Sequence, residues 1–97
     1  MPTYIALVRW TEQGVRNVKQ TVTRAEDVRA RAEKAGGKFI GFWWTQGAYD
    51  IIAVVEMPDD ESASALMLTS AMGGNLRIET MRAYTAEEMQ RILQKVP

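Results

Sequence analysis

Apolar positions change period several times along this chain, and each change marks an element. Thr3 to Trp10 alternates, with Thr3, Ile5, Leu7 and Arg9 on one side and Tyr4, Ala6, Val8 and Trp10 on the other, the period of a strand. Both sides are largely apolar, so this strand is expected to be covered on both faces, in the middle of a sheet. From Thr11 the period lengthens to steps of three and four: Val15, Val18, Val22 and Ala25, then Val28, Ala32 and Ala35. That is a helical stripe. Thr23-Arg24-Ala25-Glu26 has capping-box spacing, which predicts a short helical turn over about 11–20 and a full helix over about 24–35. Gly36-Gly37 ends it with residues that tolerate the left-handed conformation.

Lys38 to Thr45 reads as a second strand and Tyr49 to Met57 as a third, joined through a tight turn at Gln46-Gly47-Ala48. The pair is a hairpin, and Pro58 stops it. Asp59-Asp60-Glu61-Ser62 places negative charge where a helix dipole favours it. Ala63, Leu66, Met67 and Ser70 make that helix's stripe, and Gly73-Gly74-Asn75 ends it. Leu76 to Tyr84 alternates as a fourth strand. Thr85 and Glu88 form a second capping box, opening a C-terminal helix over about 86–95 with Met89, Ile92, Leu93 and Val96 on one face.

The order β-α-β-β-α-β plus a terminal helix predicts one α+β domain over residues 1–97, of the ferredoxin-like plan with a four-stranded antiparallel sheet. Two helices cover one sheet face only, yet strands one and three are apolar on both. The uncovered face needs a partner, and a second copy is the economical one. Sheets packed face to face would make a dimeric α/β barrel. A chain of this length buries only roughly 60–70% of its unfolded surface, so a partner subunit would also help stability.

Composition narrows the chemistry. There is no cysteine and no histidine, which removes disulfides, thiolate catalysis, the usual zinc, copper and haem ligands, and any Ser-His-Asp or Cys-His arrangement. No cofactor is expected. No apolar run approaches the ~20 residues of a membrane span, and no leader pattern opens the chain, so a cytoplasmic location is expected. Residues 1–48 carry eight Lys/Arg and four Asp/Glu, residues 49–97 four and eight. In an interleaved fold this reads as oppositely charged faces. A nucleic-acid surface would be net basic.

Trp44-Thr45-Gln46-Gly47-Ala48-Tyr49-Asp50 resembles the motif that names the GYD-domain family, with Ala48 between the glycine and the Tyr-Asp pair. Trp10-Thr11-Glu12-Gln13-Gly14 and the Glu79–Thr85 run resemble the same family. The resemblance covers essentially the whole chain and implies a ferredoxin-like fold of the dimeric α/β-barrel group. It implies no activity.

Taken alone, Gly47 suits a turn needing positive φ. Asp50 reads either as a carboxylate that accepts backbone or Thr45 hydroxyl hydrogen bonds, or as a general base raised by partial burial. Tyr49 beside it either packs or donates a proton. Glu79 and Arg82 must face opposite sides of their strand. Arg9 and Arg82 sit among apolar neighbours and need carboxylates, for which Asp50, Glu56 and Glu79 are candidates. The segment Lys38–Thr45 holds four of the eight aromatics. With Trp10 they either fill the interior or line a cleft for a flat apolar molecule. Trp43 and Trp44, being consecutive, take opposite faces.

Three functions follow. The first is a homodimer binding a small apolar or aromatic molecule between sheet and helices, near Trp10, Trp43, Trp44 and Arg82. The second is a cofactor-independent monooxygenase- or isomerase-like enzyme using Asp50 and Tyr49. The third is a purely structural subunit. RNA-recognition domains share the strand order, but Ile51–Glu56 offers no aromatic on which to stack a base.

Overall fold

Thr3–Trp10 (β1) lies between two other strands, where its two-sided apolar pattern belongs. The computed structural model describes residues 1–97. β1 is followed by α1 (Glu12–Arg16), a 3-10 turn (Val18–Gln20), α2 (Thr21–Lys34), β2 (Lys38–Trp44), β3 (Ile51–Glu56), α3 (Asp60–Met72), β4 (Leu76–Ala83) and α4 (Ala86–Leu93). The four strands form one antiparallel sheet in the order β2-β3-β1-β4.

Register decides which residues share a face. Tyr4 lies between Val55 and Arg82, Ala6 between Ala53 and Thr80, and Val8 between Ile51 and Ile78. This face meets the helices. Tyr4, Val55 and Met57 pack with Ala32 of α2 and with Ala63 and Leu66 of α3, while Ala6, Val8, Ile51 and Ala53 form a second cluster under Phe42, Leu76 and Ile78. On the opposite face Ile5 lies between Val54 and Met81, and Leu7 between Ile52 and Glu79. None of these joins either buried cluster, and no helix covers them.

Two boundaries differ from the sequence reading. α2 starts at Thr21, so Thr23 lies inside the helix and the expected Thr23–Glu26 capping box does not form. The 3-10 turn runs directly into α2: Gln20 N–H donates to the Asn17 carbonyl and Thr21 N–H to that of Val18. Those carbonyls do what a capping side chain would otherwise do. The hairpin is also wider than a tight turn, because β3 starts at Ile51 and not at Tyr49. Thr45 N–H closes the connection on the Asp50 carbonyl at 2.8 Å, and Thr45 Oγ1 donates to the Tyr49 carbonyl at 2.6 Å. Gly47 has φ +104°, and a Cβ there would meet nothing within 4 Å, so what the position demands is conformation and not space. A register shift between Phe39 and Gly41 marks a bulge that leaves Ile40 half exposed.

Met57 is wholly buried where β3 turns toward α3, in a cluster drawn from β1, α2, β3 and α3. Met57→Ala should therefore cost about 2–5 kcal/mol in urea denaturation. A loss well under 1 kcal/mol would show that the core is not built around it.

Candidate functional site

Asp50 makes its three hydrogen bonds to the backbone. Its N–H donates to the Val8 carbonyl at 2.9 Å, its carbonyl accepts from Thr45, and Oδ2 accepts from the Trp10 N–H at 2.9 Å. The β1–β3 ladder ends at Val8–Ile51, and the carboxylate extends it by one rung. The Thr45 hydroxyl goes to the Tyr49 carbonyl and not to this carboxylate. Tyr49 turns onto the open face, where the Arg9 guanidinium lies 4.3 Å from its ring centre. Arg9 also donates to the Ala48 carbonyl at 2.8 Å and pairs with Glu79 at 2.9 Å. The Tyr49 hydroxyl reaches Glu79 only at 3.4 Å, a long contact. Arg9 and Glu79 are both about half exposed, so the pair orients side chains more than it stabilises the fold.

The three tryptophans do not converge on one pocket. Trp43 pairs with Ile52 on the open face and is 55% exposed. Its indole folds over Gly41, where a Cβ would come within 2.1 Å of the ring. Trp44 faces the helices, meeting Phe42 edge-on with ring centres 5.0 Å apart and donating from Nε1 to Thr21 Oγ1 at 3.1 Å. Trp10 lies on the helix side opposite Leu76, its Nε1 buried without a protein partner.

Arg82 sits opposite Tyr4, near the start of β1, whereas Asp50 bonds to Trp10 at its end. Six residues of strand put them roughly 20 Å apart. Arg82 pairs with Glu88 of α4 at 3.0 Å and lies 4.6 Å from the centre of the Tyr84 ring. Its partner is therefore none of Asp50, Glu56 and Glu79, the carboxylates the sequence offers. The capping-box spacing was the available signal, because a glutamate at the third helical position turns back toward the strand that delivers the helix. The Thr85 N–H, then the Arg82 guanidinium, hold the Glu88 carboxyl at about 2, and Glu88 in turn raises Arg82. Beside this pair the Tyr4 hydroxyl donates to Asp60, and burial first, then the Asp60 carboxylate, push the Tyr4 phenol up to about 12.

Two hollows adjoin these groups. A groove of about 920 Å³ runs between α3 and β4, with Met67, Leu76, Ile78 and Arg82 along it. A cavity of about 50 Å³ lies between sheet and helices, lined by Phe39, Phe42, Ile51, Leu66 and Ile78. Arg24 reaches that cavity, with Nη1 on the Asn17 carbonyl at 2.9 Å and Nη2 buried without a partner. No three acidic side chains come together as a metal site would need.

One helical layer on one face of an antiparallel βαββαβ sheet makes this a ferredoxin-like α+β domain. The chain belongs to the GYD domain family, whose model matches residues 4–93. It is 27% identical over 90 residues to a protein of Thermus thermophilus named glutamine synthetase and cystathionine beta-lyase binding protein, a match covering 92% of this chain and 95% of that one. The crystal structure of TTHA0845 from the same organism superposes with a TM-score of 0.56 at 19% identity, covering 89% of this chain and 96% of the other. That second likeness is one of fold. No helix is long and apolar enough to cross a membrane.

The Glu88 carboxyl, held at about 2 against an ordinary 4.5, gives a pH prediction. A depressed carboxyl stabilises the folded state fully above its unfolded value, and that contribution fades as pH falls through the folded one. Glu88→Gln should melt below wild type at neutral pH, and the gap should close between roughly pH 5 and 2. A gap independent of pH would mean that the charge pair is not what Glu88 contributes.

Proposed function

We propose that this chain is a homodimeric binding module: two copies pair through the open faces of their sheets, and the pair binds other proteins. The observation that carries the pairing is the open face itself, on which Ile5, Leu7, Ile52 and Val54 form an apolar centre flanked by Trp43 and Met81, 55% and 45% exposed. Each such side chain gains roughly 1.5–3 kcal/mol when fully buried. Four strands about 4.8 Å apart and six to eight residues long span on the order of 450 Å² in projection. Two such faces approach the ~1,000 Å² at which specific interfaces begin. Arg9, Tyr49 and Glu79 then form a polar rim beside the apolar centre. The partner class rests on the Thermus relative, whose name says that it binds two enzymes. Asp50 favours a structural part in this reading, because its Oδ2 accepts the Trp10 N–H.

Sedimentation at micromolar concentration is expected to find a wild-type dimer and a Val54→Asp monomer, since the new carboxylate would be desolvated at the centre of the face. A solitary wild-type molecule refutes the pairing. Titration against the glutamine synthetase and cystathionine beta-lyase of the chain's own organism tests the partner class, and binding to neither removes it.

The cavity between sheet and helices favours a second reading, as a small-molecule binder. Its volume, about 50 Å³, is well below the roughly 300–1,000 Å³ of drug-sized sites. The ligand class it supports is therefore an aliphatic acid of only a few heavy atoms, carboxylate toward Arg24 Nη2. Such an acid should raise the melting temperature of wild type and not of Arg24→Met. Equal shifts in both proteins dispose of the site.

A further inference from the structure

Two surfaces of this chain are left without partners, and they complement one another. We propose that α4 of one copy lies in the groove between α3 and β4 of a second copy. This goes beyond the sheet-face pairing and shares with it only the presence of a second copy.

The first surface is α4. Met89, Ile92, Leu93 and Val96 recur at helical spacing on one side, yet no residue of the helix is buried. Met89, Leu93 and Val96 are 44%, 55% and 61% exposed. The molecule is 51 Å long, nearly twice the ~27 Å of an eight-residue strand, so α4 stands outside the sandwich as an arm. Its elbow is braced. Thr85 and Glu88 close the capping box, Arg82 pairs with Glu88, and the Arg82 guanidinium lies against Tyr84. With only Tyr84 and Thr85 between β4 and α4, and both ends tied together, the helix has no slack with which to fold back along its own β4.

The second surface is the groove. Met67, Leu76 and Ile78 give it an apolar floor, and Leu68 of α3, 69% exposed, stands at its wall. Ala63, Ser64 and Ala71 keep that side of α3 low, which lets another helix axis approach to roughly 8 Å. β4 is an edge strand. An arm from a second copy therefore reaches the groove without crossing another strand.

Charge sets the direction. The groove has Asp60 at one end, next to Asp59 and Glu61, and the Arg82 guanidinium at that end is already paired with Glu88. α4 has Glu87 and Glu88 in its first turn, with Arg91 and Lys95 at and beyond its last. Antiparallel to α3, the incoming helix brings its basic end to the acidic end of the groove. The same orientation opposes the negative end of one helix dipole to the positive end of the other.

The chain has no native cysteine, so pairing can be read by disulfide trapping. Leu68→Cys and Leu93→Cys are placed in separate, differently tagged copies, coexpressed and oxidised. The expected product is a reducible species joining the two tags, at least several-fold more abundant than with Gln94→Cys, which turns to the opposite side of α4. A yield no higher than the Gln94→Cys control overturns the proposal, as does a linked monomer from the double variant Leu68→Cys/Leu93→Cys. If wild type still sediments as a dimer when the trap fails, the arm contact falls and the sheet-face pairing stands. A trap that persists in Val54→Asp shows that the arm contact forms without the sheet-face pairing.

Discussion

The structure turns on one mismatch: β1 and β3 are apolar on both sides, and the chain supplies a helical layer for only one. Tyr4, Ala6 and Val8 find Ala32, Ala63 and Leu66 above them or pack in the neighbouring cluster. Ile5, Leu7, Ile52 and Val54 have only their neighbours within the sheet. Antiparallel sheets commonly leave one face in water, but that face is then usually polar. Here the polar groups are confined to the ends and edges of the face, where Arg9, Tyr49 and Glu79 hold one another. The uncovered centre follows from strand composition and not from an accident of packing.

The helical side solves its own problem with small residues. Ala32 and Ala63 are almost completely buried, and their lack of bulk lets α2 and α3 lie close to the strands. What remains between the layers is a cavity of about 50 Å³. The interior is thus nearly filled, and the larger hollow lies outside, between α3 and the edge strand β4. Among the candidate residues, Asp50 extends a strand ladder, Arg82 braces an elbow, and Trp43 covers a glycine.

The elbow at Arg82, Tyr84, Thr85 and Glu88 links the body of the domain to α4. Its components are local in sequence, yet they act between elements, fixing a helix relative to a strand. Charge-assisted hydrogen bonds suit this task because they are directional. An apolar contact alone would leave the arm free to collapse onto the nearest oily surface.

Element types and order were readable directly, because periods of two and of three to four distinguish strand from helix without reference to anything distant. So were the Thr85–Glu88 cap, the turn at Gly47 and the opposition of Trp43 to Trp44, each governed by residues a few positions apart. The start of α2 was misplaced because a 3-10 turn supplied backbone carbonyls in place of the expected Thr23 cap. The candidate site was legible only as a set of residue types. Tertiary structure decided that Asp50 meets the Trp10 N–H, that Tyr49 joins Arg9, and that Arg82 finds Glu88, because partners for long side chains depend on register between strands distant in sequence. Local patterning determines what each segment becomes, and only the folded register determines which segments face one another and which surfaces are left uncovered.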